Sequence, residues 1–528
     1  MLTVQAHSLI EIPFHATKCH ADPWNELELD VVFSGPGGDI RVPGYWTGDD
    51  TWAVRFAAPT AGGWTYHTMC SDESDTGLHG TTGKIDVRPY EGANALLSRG
   101  RLRISANGRH LETADGQPFF WLADTWWMGL AMRLDWPEGF QELAMDRVAK
   151  GYSVVQIIAG PYPDMEAFDH RGANEAGHPF TEGFASVNPA YFDMADLKIG
   201  HIVRRGISPC IVGMWGYFLP QIGVEKIKRY WRYLIARYGA YPVTWCIAGE
   251  ARMAWYLSDN SEAESAEQGT GWTEVCRYVR DVDGFENPIT IHPTQIGREQ
   301  VDDPSVMDFE MLQTGHGGYD SIVNSVDCVR QACAVEPPMP TFVSEACYEG
   351  ILGRSEAAVQ RMLFWMTMLS GAMGFTYGAN GIWQMSTDDD PYGPSPHGRS
   401  WGMETWDDAY KLPGSKHVGV GAKFLSTLPW TEFEVHDEWI ANAWDGTDGN
   451  KAVAAGIPGR LRVMYAPMAW NFPAVLNIET DVTYTAKYFD PVEGGTYDLG
   501  IVEPDADGTW TPTPPQVVHD WVLVLEKV

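Results

Sequence analysis

Positive charge is scarce. The 528 residues carry 37 Lys+Arg against 70 Asp+Glu, a formal net charge of -33, which repels phosphate backbones and anionic membrane surfaces alike. Nucleic acid and membrane are thereby set aside as partners. The eight cysteines, at 19, 70, 210, 246, 276, 328, 333 and 347, form no CxxC pair and no Cys/His spacing of the zinc-site kind, so no metal is assigned. Cys210, Cys246 and Cys347 lie in apolar runs, where a free thiol acts as a small hydrophobe, as expected in a reducing compartment. The opening MLTVQAHSLIEIPF has no basic region followed by a long apolar stretch, and no run reaches membrane-span length. These features predict a cytoplasmic protein. No GxGxxG follows the first strand of the central region, which argues against a dinucleotide fold. The triad Asp388-Asp389-Asp390 lacks the spaced ligands of a calcium loop. No cofactor is expected, and homo-oligomerisation is left open.

Aromatic residues are abundant: 23 Trp, 22 Tyr and 20 Phe. Large cores use such rings, and so do sugar sites, because the C–H faces of sugars pack on indole and phenol.

Three regions are expected. Residues 1–95 alternate apolar and polar positions in short runs such as ELELDVVFSG and TWAVRFAAP, closed by Gly, Pro or Asp, and predict an N-terminal antiparallel β-sandwich. Residues 96–429 alternate strand-length apolar runs with helical stretches of 3.6-residue periodicity. Eight strands are assigned, at 119–127, 153–160, 208–215, 242–250, 288–293, 306–314, 340–348 and 371–379. That count predicts an α/β fold, a (β/α)8 TIM barrel. Residues 430–528 return to β patterning and predict a C-terminal antiparallel β-sandwich.

In such barrels the reacting groups sit at the C-terminal ends of the strands. The fourth run ends in Ala248-Gly249-Glu250 and the seventh carries Ser344-Glu345-Ala346. Two carboxyl groups facing one pocket supply what glycosidic cleavage needs, a proton for the leaving oxygen and an electron-rich group at an oxocarbenium-like carbon. Either Glu alone is equally explained as an ion-pair partner, for instance of Arg252, or as a helix cap; the pair on strands four and seven favours chemistry. Trp215, Trp245 and Trp255 are available apolar neighbours for Glu250. Substrate-binding candidates by the same strand-end logic are Asp124, Trp126, Gln156, Trp215, His292, Gln313, His316, Tyr348 and Trp383, with Gln156 and His292 equally consistent with satisfied core polars.

Residues about 100–400 resemble the apiosidase-like family of glycoside hydrolases, through GRLRISANGRHLETADGQPFFWLADTWW, KGYSVVQ, WCIAGE, QTGHGG and SEACYEG. The preceding region is similar to the β domain joined to such barrels, through EIPF, DIRVPGYWTGDDTWAVRFAAPTAGGWTY and HGTTGKIDV. The resemblance implies Glu250 as acid/base, where Asp is more usual in the family, and Glu345 as nucleophile. The expectation is a retaining, exo-acting glycosidase for a small oligosaccharide or glycoside. A non-catalytic carbohydrate-binding barrel, or inverting or transglycosylating chemistry, is the alternative. The loops 160–190, 251–272 and 380–412 are expected to shape the pocket rim.

Overall fold

The computed structural model describes residues 2–468 and 470–528. Among them, eight parallel strands make the central sheet: β1 (Trp121–Trp126), β2 (Val154–Ile158), β3 (Ser208–Val212), β4 (Thr244–Cys246), β5 (Ile289–Thr290), β6 (Glu310–Gln313), β7 (Thr341–Glu345) and β8 (Gly374–Tyr377). β1 pairs with β8 as well as β2. At the remaining seam, β5 meets the segment leading into β6 through Asp308 N–H donating to the Ile289 carbonyl at 2.8 Å and Thr290 Oγ1 donating to the Phe309 carbonyl at 2.7 Å. The result is a TIM barrel whose strands fall at the eight expected places, each shorter than its apolar run.

Around it lie α1 (Glu138–Ala149), α2 (Pro189–Arg204), α3 (Val224–Tyr238), α4 (Ser261–Val282), α5 (Ser321–Cys333), α6 (Ala357–Met368) and α7 (Pro413–Leu425). In α3, Ile227, Tyr230, Trp231, Leu234, Ile235 and Tyr238 are buried at three- and four-residue spacing, the stripe a barrel-facing helix requires. The fifth unit has no α-helix. Only two 3-10 turns, Gly297–Gln300 and Pro304–Val306, join β5 to β6.

The N-terminal region stacks a five-stranded sheet on a three-stranded one, with Val31, Phe33, Val54, Phe56 and Trp64 between them. One pair departs from antiparallel order, Leu2–Gln5 running parallel to Thr82–Arg88. The sandwich docks on α2 and α3 through Arg55, which donates from Nη1 to Asp196 Oδ1 at 3.0 Å and to the Arg237 carbonyl at 2.9 Å, and through Arg232 on Asp30 at 2.6 Å.

The C-terminal region is built on one six-stranded antiparallel sheet, and irregular segments supply its second layer. Its central strand, Trp521–Lys527, shows the two-residue period directly. Val522 and Val524 belong to the barrel core, whereas Leu523 and Leu525 face an outer core with Trp439, Phe472 and Val475. The inner face packs on α6 and α7: Trp365 stacks on Tyr465 and Phe424 on Phe489, with centroids 6.1 and 3.9 Å apart. Among the described residues no helix is long and apolar enough to cross a membrane.

Candidate active site

Glu345 is the last residue of β7, and Gln313 pairs with it across a β-bulge at the end of β6. The extra residue, Ser344, lies on β7, so it is that strand's end, with Glu345, that the bulge re-aims. Glu250 lies beyond regular strand: β4 stops at Cys246, and Glu250 takes a left-handed backbone conformation, φ 42°. A glutamate rarely adopts that region, and such residues persist where the surroundings fix them. The surroundings here are two glycines. A Cβ on Gly249 would stand 2.2 Å from the Trp215 ring, and one on Gly216 would stand 2.6 Å from Ala251 Cα. Their absence of side chains lets the β3 and β4 ends close on each other, joined by Gly216 N–H donating to the Gly249 carbonyl at 2.6 Å. Trp215 then lies flat enough for its Nε1 to donate to Glu250 Oε2 at 3.1 Å.

The two carboxyl groups share one donor. Gln313 Nε2 lies 3.0 Å from Glu250 Oε1 and 2.9 Å from Glu345 Oε1, so these oxygens are less than about 6 Å apart. Glu345 also accepts from His316 Nε2 at 2.9 Å and has His292 Nε2 at 3.2 Å from its other oxygen. His292 is itself oriented by Nδ1 donating to Ser344 Oγ at 3.1 Å, whose hydroxyl donates to the Leu312 carbonyl.

This asymmetry drives the two acids apart. Burial pushes the Glu250 carboxyl up, the Glu345 charge adds to it, and together they outweigh the Gln313 hydrogen bond, setting it at about 7. Burial acts in the same direction on Glu345, but the hydrogen bonds and charge of His292 and His316 overcome it and hold this carboxyl far below the usual range. Burial disfavours the His316 cation; the Cys347 sulfur and Glu345 outweigh it and raise His316 to about 9. One group is thus kept protonated near neutrality and the other ionised, the division of labour that acid/base chemistry on a single bond requires.

The pocket has a cavity volume of about 120 Å³ and is lined by Trp127, Trp215, Trp383, Trp401, Tyr256 and Tyr348 beside Asp164, Glu250, Gln313, His316 and Glu345. Aromatic walls with a few convergent polar groups are the lining of a small-molecule site. Tyr348 stacks against both His316 and Trp383 and accepts from Trp127 Nε1 at 3.0 Å.

Of the residues expected from sequence, Glu250, Glu345, Trp215, Gln313, His316, Tyr348 and Trp383 meet here, with His292 directly behind Glu345. Three lie elsewhere. Asp124 is wholly buried and accepts from Arg147 Nε at 2.6 Å and Trp126 Nε1 at 2.7 Å, an internal ion pair between β1 and α1. Trp126 points the same way, edge-on to Phe140. Gln156 is buried inside the barrel, donating to the Ser344 carbonyl at 3.0 Å. Trp245 donates to Asp283 in the outer core, Trp255 packs on Tyr217 and Tyr256, and Arg252 pairs with Asp302, not Glu250. Trp127, Asp164, Tyr256 and Trp401 are pocket residues that sequence did not single out, although the last three lie in the loops 160–190, 251–272 and 380–412 expected at the rim. Asp390, of the acidic triad, pairs with Arg133. Among the described residues no group of three or more His, Cys, Asp or Glu is arranged to hold a metal ion.

A TIM barrel with an aromatic pocket and a carboxyl pair at the ends of β4 and β7 defines a glycoside hydrolase. The model of the apiosidase-like catalytic domain matches residues 105–432, and that of a domain of unknown function, DUF5060, matches residues 3–71. The chain belongs to the apiosidase-like family. No curated protein matches it. Among solved structures, the fold is similar to that of a glycoside hydrolase at 21% identity, TM-score 0.67, covering 82% of this chain and 98% of that one. It is also similar to a family 5 glycoside hydrolase from Bacteroides vulgatus at 22% identity, TM-score 0.67, covering 83% and 95%. A further structure from Bacteroides vulgatus aligns over 100% of both chains at 17% identity and TM-score 0.72.

Proposed function

We propose that the protein is a retaining, exo-acting glycosidase of small oligosaccharides or glycosides, with Glu345 as nucleophile and Glu250 as general acid/base. Glu345 attacks the anomeric carbon while Glu250 gives its proton to the departing oxygen; Glu250, now a carboxylate, then takes a proton from water as that water displaces Glu345. The observation that carries this reading is the shared Gln313 amide. With these two oxygens within about 6 Å of each other, the pair leans towards the close spacing of direct attack, whereas inversion uses carboxyl groups about 6.5–9.5 Å apart with a water between them. A pocket of this size favours a terminal sugar over a polymer strand. The eight cysteines are all unpaired, which supports placement in the reducing cytoplasm.

The test is hydrolysis of a panel of 4-nitrophenyl glycosides, with the first-formed anomer followed by NMR. Retention is expected, with turnover lost in Glu345→Ala and azide restoring turnover to Glu250→Ala. Net inversion would overturn the double displacement. Equal and negligible rates for wild type and Glu345→Ala would make the barrel a binding protein.

A further inference from the structure

A third carboxyl group lines the pocket. Asp164 follows β2, is 6% exposed, and holds a left-handed backbone at φ 59°, a conformation that fixes its direction at some cost in strain. Tyr256, from the loop after β4, donates to Asp164 Oδ1. His397, from the loop after β8, stacks on Tyr256 with centroids 5.0 Å apart. Trp401 of the same loop also lines the pocket and donates to Ser395 Oγ at 3.2 Å. Three rim loops therefore converge on one carboxyl group. Among the described residues no Lys, Arg or His forms an ion pair with it; Tyr256 donates to it directly, and Ser395, Trp401 and His397 stand close enough to favour its charged form.

A buried carboxyl held this way, facing a cavity of aromatic rings, is an acceptor waiting for O–H donors. The Tyr256 oxygen keeps lone pairs for a neighbouring hydroxyl, so the two residues can read adjacent positions on a sugar. The charge of the wall narrows the ligand further. Asp164, Glu250 and Glu345 line it with no Lys or Arg, and its imidazole, His316, is already engaged by Glu345. A sugar carboxylate would find the one cation of the wall, His316, already neutralised by Glu345, and would face the carboxyl groups in a water-poor site, where like charges at close range are strongly unfavourable.

We propose that Asp164, braced by Tyr256, determines specificity by accepting a hydroxyl of the bound glycosyl unit, and that the pocket takes neutral sugars and rejects uronic acids. The inference rests on reading this cavity as the glycosidase site.

The test compares wild type, Asp164→Asn and Tyr256→Phe on 4-nitrophenyl glycosides of neutral pentoses and hexoses and on the matching hexuronides. The same proteins are titrated calorimetrically with the free monosaccharides. Wild type is expected to turn over a neutral glycoside and no uronide. Losing a hydrogen bond to a charged acceptor should raise KM for that glycoside about 10- to 100-fold in Asp164→Asn, with the unfolding midpoint within about 2 °C of wild type. The loss should shrink to under about 3-fold on the deoxy analogue lacking the recognised hydroxyl. Preference for a uronide, or Asp164→Asn kinetics and binding within about 3-fold of wild type on every neutral sugar, would overturn the assignment. If wild type cleaves nothing yet Asp164→Asn weakens binding of a neutral monosaccharide, the Asp164 assignment stands and the glycosidase reading fails.

Discussion

Glu250 and Glu345 are bridged by a single amide nitrogen, Gln313 Nε2, at 3.0 and 2.9 Å. The bridge stabilises the charged form of each and fixes their separation. Gln313→Met, close in volume but without the donor, should move both limbs of the pH profile of kcat/KM to higher pH and lower kcat by about 100-fold. An unmoved profile would show that the amide contributes only packing.

The wild-type profile should be asymmetric about the ordinary carboxylate range. Glu250 must be protonated to act as acid, so activity should fall as pH rises through about 7. Glu345 must be ionised, so the acid limb should lie below the usual glutamate value. Glu250→Gln, assayed with a leaving group that needs no protonation, should lose the alkaline limb.

His316 should set the acid limb. Raised to about 9, it stays cationic through the working range and faces Glu345. His316→Asn removes that charge, so the Glu345 carboxyl should titrate higher and the acid limb should move up. A drop in kcat without such a shift would assign His316 to sugar contact instead.

Stability should carry the imprint of Glu250. Its folded value exceeds its unfolded one, so the folded state binds more protons between about pH 4.5 and 7 and wild type loses stability as pH rises through that window. Relative to Glu250→Gln the loss should reach about 3 kcal/mol at most by pH 8 and vanish near pH 4. Paired denaturation curves across this range measure it; parallel curves would refute it.

Asp124 is expected to matter for folding rather than turnover. Asp124→Ala removes the wholly buried partner of Arg147 Nε and leaves that guanidinium only Asp146 and the Tyr410 carbonyl, a loss of up to about 3 kcal/mol, while kcat of the folded fraction should stay within a few-fold of wild type.

Asp124 also marks where the sequence stopped being legible. The barrel followed from eight apolar runs, and the carboxyl pair from the rule that strand ends face the pocket. The parity of β1 did not follow. In ADTWW, alternation sends Asp124 and Trp126 outward to α1, leaving Trp127 for the pocket, and either phase satisfies an all-apolar strand. The alternation of polar Asp124 with a helix-borne Arg147 was the available signal. Gln156 points inward but sits below the cavity, a depth that residue type does not encode. Asp164, Tyr256 and Trp401 come from three loops whose meeting depends on contacts about 90 to 240 residues apart in the chain, beyond any local pattern. The C-terminal region alternated as a half-buried sheet should, yet both faces are covered, one of them by the barrel.

That last feature bears on how the enzyme could be dissected. Arg361 of α6 donates to Asp520 from Nη2 at 2.6 Å and from Nε at 2.9 Å, and Tyr465 closes on the same carboxylate, beside the stacked Trp365 and Phe424 rings. A version trimmed after residue 432 would turn a wall of the barrel's own core into an oily outer surface with an orphaned cation at its centre. The segment that looks like an accessory appendage is, in mechanical terms, the barrel's missing flank, and engineering that swaps it must replace the flank together with the module.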